Sequence, residues 1–151
     1  IALKERGGHL AEAGQGRALD REAVVGVDCD IWISAARPDV IRKDNVGQLR
    51  ARLVLQGANI GVTLEAERSL HERGVVCVPD FIGNAGGVIC AAVEYRGGSQ
   101  SQALERIRDS IRANTAEVLE RSAAEGVLPR EAAVAMAEAR VRRAMGWQRW
   151  R

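Results

Sequence analysis

Aromatic side chains are scarce in this sequence of 151 residues, which holds three tryptophans, one tyrosine and one phenylalanine. Proteins that bind single-stranded nucleic acid stack its bases on aromatic rings, so this scarcity argues against that class. Charge of one sign is not in excess either, because the net charge is +2 and the acidic residues are interleaved with the arginines. A phosphate backbone requires more segregated positive charge, and we expect no nucleic-acid partner.

Long apolar runs are also absent, and no opening stretch has the form of a signal peptide, so we expect a cytoplasmic protein without a membrane contact. The cysteines, Cys29, Cys77 and Cys90, are odd in number, form no CxxC pair and lie among apolar residues. This pattern favours buried, reduced thiols over a disulfide or a metal site. His9 and His71 have no metal-ligand spacing with any acidic residue or cysteine, and we expect them at the surface.

Short apolar runs near residues 29–34, 52–56 and 75–79 are the strongest structural signal in the chain. Their continuous apolar character predicts strands buried on both faces, as in a parallel sheet covered by helices. Each run is followed by a loop of small and polar residues and then by a helix-compatible pattern. Helices are predicted at residues 38–50, 63–74, 84–96, 100–124 and 130–145.

These elements predict the α/β class, with a Rossmann-like parallel sheet, helices on both of its faces and closing C-terminal helices. Three strands make a thin sheet, whereas the complete doubly wound order has about six. We therefore expect residues 1–145, including the closing helices at 100–145, to be the C-terminal part of a dinucleotide-binding domain. Further strands are expected before Ile1, and residues 146–151 are expected to be a tail.

The loops after the three strands define the predicted site, because ligands of such sheets bind beyond the carboxyl ends of the strands. Asn59 and Asn84 lie in two of these loops, and an amide offers both a donor and an acceptor to a ribose hydroxyl or a carboxamide. Alternatively, each asparagine only caps a loop or a helix. Residues 14–19 come nearest to a GxGxxG phosphate loop, but the third glycine is Leu19 and no strand precedes them, which indicates a surface turn.

Three motifs follow one another in the sequence: Cys29 through Ala36; Gln56-Gly57-Ala58-Asn59 with Thr63 and Glu65-Ala66; and Val78-Pro79-Asp80 through Asn84-Ala85-Gly86-Gly87-Val88. In order and spacing they resemble the cofactor domain of the glutamate, leucine, phenylalanine and valine dehydrogenases, and glutamate dehydrogenase most. The resemblance extends over roughly residues 1–145. It implies reversible oxidative deamination of an L-amino acid to a 2-oxo acid and ammonia, with hydride passing to NAD or NADP.

The resemblance also implies roles for individual residues. The backbone of Ala35 and Ala36, together with Gly57, would line the cofactor. Asn59 would sit near the nicotinamide, and Asn84 would hydrogen-bond the nicotinamide ribose.

Val88 and Ala91 lie one helical turn apart and would face the substrate side chain. The catalytic lysine and aspartate of the family belong to another domain, so no catalytic residue is assigned in this sequence. Lys4 and Lys43 are expected to be surface charges, and Asp80 is expected to have a structural role at its turn.

The substrate expectation depends on Ala91. Glutamate-specific relatives usually carry a serine there, whereas relatives that act on apolar amino acids carry an apolar residue. The stretch Val93-Glu94-Tyr95 and the general sequence are nearer to glutamate dehydrogenases, so L-glutamate, converted to 2-oxoglutarate, is the first expectation. Leucine, valine or phenylalanine dehydrogenase is the alternative, and a non-catalytic nucleotide-binding or assembly module is a third.

The partners implied are an amino-acid substrate, an N-terminal substrate domain outside this sequence and, for the full-length protein, further copies in a homo-oligomer. The 151-residue chain alone is expected to be inactive.

Overall fold

The computed structural model describes residues 2–9, 12–14 and 16–147. Its strands are β1 (Ile31–Ser34), β2 (Leu53–Gln56) and β3 (Val76–Val78). They form one parallel sheet in the spatial order β1-β2-β3, in which Trp32 pairs with Val54 and Val54 with Cys77. The parallel sheet and the α/β, Rossmann-like class are thereby confirmed.

In the described ranges the helices are α1 (Ala2–Glu5), α2 (Leu64–Glu72), α3 (Asp80–Gly83), α4 (Gly86–Tyr95), α5 (Gln100–Glu125) and α6 (Pro129–Trp147). Two short 3-10 helices, Glu22–Gly26 and Val46–Gln48, lie before β1 and β2. The predicted helices at 63–74, 84–96, 100–124 and 130–145 match α2, α4, α5 and α6 to within a few residues. Residues 148–151 of the predicted tail lie outside the described ranges.

Apolar clusters pack on both faces of the sheet. On one face, Trp32, Val54 and Cys77 join a cluster that includes Ala66 and Leu70 of α2. The cluster on the other face contains Val78 of β3, with Leu53 and Leu55 of β2 packed against it; α3, α5 and α6 contribute Ile82, Val118, Ala132, Ala133 and Met136. The prediction of helices on both faces is confirmed.

The prediction that all three strands are buried on both faces is wrong for β1. Ile31 and Ile33, which pair in register with Leu53 and Leu55, are 55% and 56% exposed. The cluster on that face is centred on β3 and does not extend to β1 among the described residues. A continuous apolar run therefore identified the strand correctly but not its burial.

The predicted helix at 38–50 is also wrong. Asp39 has a φ of 52°, outside the helical region, and Ile41 instead forms a parallel bridge with Val62. Asn45 fixes the turn that follows, since its side chain accepts a bond from Arg42 N (2.7 Å) and donates to Val40 O (2.9 Å). Side-chain bonds of asparagine to nearby backbone compete with helix formation in this way.

Capping residues set the ends of the longer helices. Thr63 Oγ1 accepts a bond from Ala66 N at the start of α2, where the predicted helix at 63–74 also begins. Ser99 and Gln102 form a reciprocal capping box at the start of α5. This helix ends at Glu125, and the capping residue Gly126 has a φ of 66°, which is accessible to glycine at little cost.

Among the described residues, no helix is long and apolar enough to cross a membrane. All three cysteines are free, but only Cys77 is buried, whereas Cys29 and Cys90 are half-buried. Burial first, and then the nearby Glu67 charge, raise the pKa of the Cys77 thiol to about 12.

Candidate functional site

Asn59 and Asn84 meet at the carboxyl-terminal edge of the sheet. Asn59 lies in the loop after β2, and Asn84 lies between α3 and α4. The Nδ2 of Asn84 donates a hydrogen bond to the Oδ1 of Asn59 over 2.7 Å. Asn59 is exposed and Asn84 is half-buried, so a ligand at this edge can reach both amides.

The loops after β1 and β2 are joined directly. The Ala58 N–H donates to the carbonyl oxygen of Ser34 over 2.5 Å. A Cβ at Gly57 would lie 3.3 Å from that same oxygen and 3.4 Å from the Cβ of Ala35, which explains why a residue without a side chain occupies the contact. Ala35 and Ala36 are exposed and line a groove of about 450 Å³ beside the end of β1.

Val88 and Ala91 are both exposed on α4, and Val88 is 77% exposed. They lie one turn apart on the same face of the helix, as their spacing predicted. Neither side chain donates a hydrogen bond, so these two positions offer only apolar contact to a molecule placed against them.

A buried polar network behind this edge was not foreseen from the sequence. The Arg130 guanidinium donates from Nε and Nη2 to the Glu67 carboxylate, 2.7 Å in each case, and from Nη2 to Asp80 Oδ1 at 3.0 Å. The Gln56 amide donates to Glu67 at 2.5 Å and accepts a bond from Val62 N at 3.1 Å. Four side chains and one loop are thus connected.

Glu67 supplied the one sequence signal that could have revealed the network. It lies between Ala66 and Leu70 on the buried side of α2, and a carboxylate on the apolar side of a helix requires a partner. Its partner, Arg130, is 63 positions away in the sequence, and nothing local points to it.

Asp80 has the structural role that was expected of it. Its Oδ2 accepts a bond from the Ile60 N–H at 2.9 Å, while Oδ1 faces Arg130. Burial opposes ionisation of this carboxyl, but the bonds from Ile60 and Arg130 outweigh it, and the pKa of Asp80 lies below its usual value. Pairing with Glu67 in turn raises the pKa of Arg130.

Other candidate residues lie at the surface, in agreement with the sequence. Lys4, Lys43, His9 and His71 are all exposed. Within the described ranges, no group of three histidine, cysteine or acidic side chains is arranged to hold a metal ion. The carboxyl-terminal edge of the sheet instead presents fixed amides, exposed backbone and apolar side chains. Such groups can bind a flat polar ligand.

Comparison with known proteins identifies the family. The sequence matches the Glutamate/Leucine/Phenylalanine/Valine dehydrogenase family over residues 1–149, and the chain belongs to this family of amino-acid dehydrogenases.

Individual relatives show how much of such an enzyme the chain represents. It is 51% identical over 86 residues to an NADP(+)-dependent glutamate dehydrogenase of Pyrobaculum calidifontis, covering 57% of this chain and 20% of that protein. It is 36% identical over 129 residues to a leucine dehydrogenase of Bacillus subtilis, covering 84% of this chain and 35% of that one. The chain therefore spans well under half the length of these relatives.

A solved structure agrees with these relatives. The hetero-hexameric glutamate dehydrogenase of Thermus thermophilus, in a leucine-bound form, superimposes with a TM-score of 0.76 at 26% identity. The match covers 92% of this chain and 34% of that chain.

Proposed function

We propose that the whole protein carrying this chain is a cytoplasmic, nicotinamide-dependent dehydrogenase that oxidatively deaminates L-glutamate to 2-oxoglutarate and ammonia. The observation that carries the proposal is the meeting of Asn59 and Asn84, joined over 2.7 Å, at the edge where parallel α/β sheets bind ligands. Family membership and the names of the relatives support the reaction class.

Within this proposal, the chain binds and orients the cofactor. Ala35, Ala36 and Gly57 bring backbone close to the dinucleotide, Asn59 contacts the nicotinamide, and Asn84 contacts its ribose. The cofactor, NAD or NADP, supplies the hydride acceptor. The amides contribute by fixing the ring relative to the substrate carbon, since correct placement lowers the barrier to transfer.

The amino-acid substrate is proposed to lie against Val88 and Ala91. Because neither side chain can donate a hydrogen bond, the distal carboxylate of glutamate must find its partner outside this chain, in a substrate domain that the chain does not contain. An unpaired buried carboxylate would be too costly. The whole protein is proposed to assemble as a homo-oligomer.

A second candidate is a leucine, valine or phenylalanine dehydrogenase. The observation that favours it is the exposed apolar face of α4 at Val88 and Ala91. The 36% identity to a leucine dehydrogenase over 84% of this chain adds to its weight.

The experiment that tests the proposal assays the whole protein with L-glutamate, L-leucine, L-valine and L-phenylalanine, each with NAD and with NADP. A protein that prefers glutamate supports the first candidate, and preference for leucine over glutamate refutes it. Folded protein that reduces neither cofactor with any of the four amino acids refutes both.

The variant Ala91→Ser sharpens this assay. For a glutamate enzyme we expect unchanged or modestly higher kcat/KM, because the added hydroxyl has a carboxylate to bind. For an enzyme of apolar substrates the hydroxyl remains unpaired. The activation free energy then rises by about 1–3 kcal/mol, and kcat/KM falls accordingly. Ala124→Ser, at an exposed position near the end of α5 and away from this face, serves as the control.

A further inference from the structure

The loop between β2 and α2 is attached to the body of the domain at two nearby amides. The Ile60 N–H donates to Asp80 Oδ2 at 2.9 Å, and the Val62 N–H donates to Gln56 Oε1 at 3.1 Å. Both acceptors belong to the network that ends at Arg130 of α6. The position of this loop therefore depends on Arg130 as well as on its backbone bonds to residues 39–41.

Ile60 shows why the loop needs such an attachment. Its φ is 53°, in the left-handed region that a β-branched residue rarely adopts. Its side chain is 58% exposed, so apolar packing does not hold it there. Its backbone does: the N–H binds Asp80, and the carbonyl oxygen accepts a bond from Asp39 N at 2.8 Å.

Asp80 acts on both asparagines of the edge at once. Through its carboxylate it fixes Ile60, the immediate neighbour of Asn59. Through its backbone carbonyl it accepts the Asn84 N–H at 2.7 Å. One residue thus connects the two backbone segments whose side chains form the bond between Asn59 and Asn84.

Arg130 in turn fixes Asp80. Its guanidinium makes paired bonds to Glu67, whose side chain is only 4% exposed, and a further bond to Asp80. It also lies over the Phe81 ring, 5.5 Å from the ring centre. The planar guanidinium donates hydrogen bonds to two carboxylates at once. A lysine ammonium cannot reproduce this arrangement of donors.

We infer that Asp80 and Arg130 are positioning residues, which set the separation and orientation of Asn59 and Asn84 for the nicotinamide end of the cofactor. The inference rests on the proposed function. According to this inference, α6 influences cofactor binding although it supplies no residue to the edge itself. The influence passes from Arg130 through Asp80 to the loop after β2.

The test compares Asp80→Asn and Arg130→Lys with the parent in the whole protein. The matched control is Arg140→Lys, because Arg140 lies on the same helix and also joins two elements, bonding Asn114 and Glu117 of α5 away from the network. The readouts are KM for the cofactor, KM for the amino acid, kcat per folded protein, and hydrogen exchange of the Ile60 amide.

We expect the cofactor KM to rise roughly tenfold in both network variants, the scale of one lost bond to a charged group. The KM of the amino acid should change less, the Ile60 amide should exchange faster, and Arg140→Lys should resemble the parent. A role in folding alone would lower the melting temperature and the active fraction without changing the cofactor KM.

The inference and the proposed function fail in different ways. Unchanged cofactor KM and unchanged Ile60 exchange in folded Asp80→Asn would overturn the inference alone, as would failure of both variants to fold. A folded parent that reduces neither NAD nor NADP would overturn the proposed function, and the inference with it.

Discussion

Asn84 offers the most direct test of a cofactor contact by one side chain. Replacement by alanine removes an amide that is proposed to bind the nicotinamide ribose and that bonds to Asn59. We expect Asn84→Ala to weaken cofactor use by about 1–2 kcal/mol in kcat/KM, the scale of a lost hydrogen bond. Steady-state kinetics with each cofactor measures this effect.

Asn114→Ala is the matched control, because Asn114 also makes a side-chain hydrogen bond, which it accepts from Arg140, but lies on α5. Equal losses in the two variants, or no loss in folded Asn84→Ala, would return Asn84 to a purely structural role.

Asp80 leads to a prediction about acid stability. Its pKa is lowered in the folded protein, so it stabilises the fold fully above its unfolded pKa of about 3.9 and loses that contribution as pH falls through the folded value. We expect the difference in unfolding free energy between the parent and Asp80→Asn to be largest near neutral pH and to shrink below about pH 4. Denaturant titrations at matched pH measure this difference, and a difference independent of pH would contradict the account.

The capping box of α5 makes a prediction for a whole helix. Ser99→Ala removes the acceptor for Gln102 N and should lower the unfolding free energy by about 1 kcal/mol. Ser99→Asp keeps an acceptor at the same place and should remain near the parent. Chemical denaturation of the three proteins measures these differences. Equal stability of Ser99→Ala and the parent would contradict the prediction.

Helices were predictable from the sequence where short-range contacts determine their ends. They were less predictable where tertiary contacts determine the conformation. Thr63 and Ser99 cap the starts of α2 and α5 by short-range bonds, and the helices predicted at 63–74 and 100–124 begin within one residue of the observed starts. The segment at 38–50 contains a helix-compatible pattern, but its conformation depends on the bridge of Ile41 to Val62, a tertiary contact. The exposure of Ile33 similarly depends on which elements cover β1.

Across the whole molecule, the meeting of Asn59 and Asn84 was predictable and the polar network behind it was not. Parallel strands bring their carboxyl ends together, so the meeting of Asn59 and Asn84 follows from topology. The supporting network requires Glu67 to meet Arg130 from 63 positions away, and only the packing of α6 against the sheet brings that about. The family motifs contain Asp80 but do not show what it binds.

We propose that this edge of the sheet holds the nicotinamide end of a dinucleotide. A crystal structure of the whole protein with its preferred cofactor, NAD or NADP, would show where the nicotinamide lies. We predict the nicotinamide ribose within hydrogen-bond distance of Asn84, with the ring beside Asn59. A cofactor bound elsewhere, with Asn59 and Asn84 remote from the nicotinamide, would contradict it.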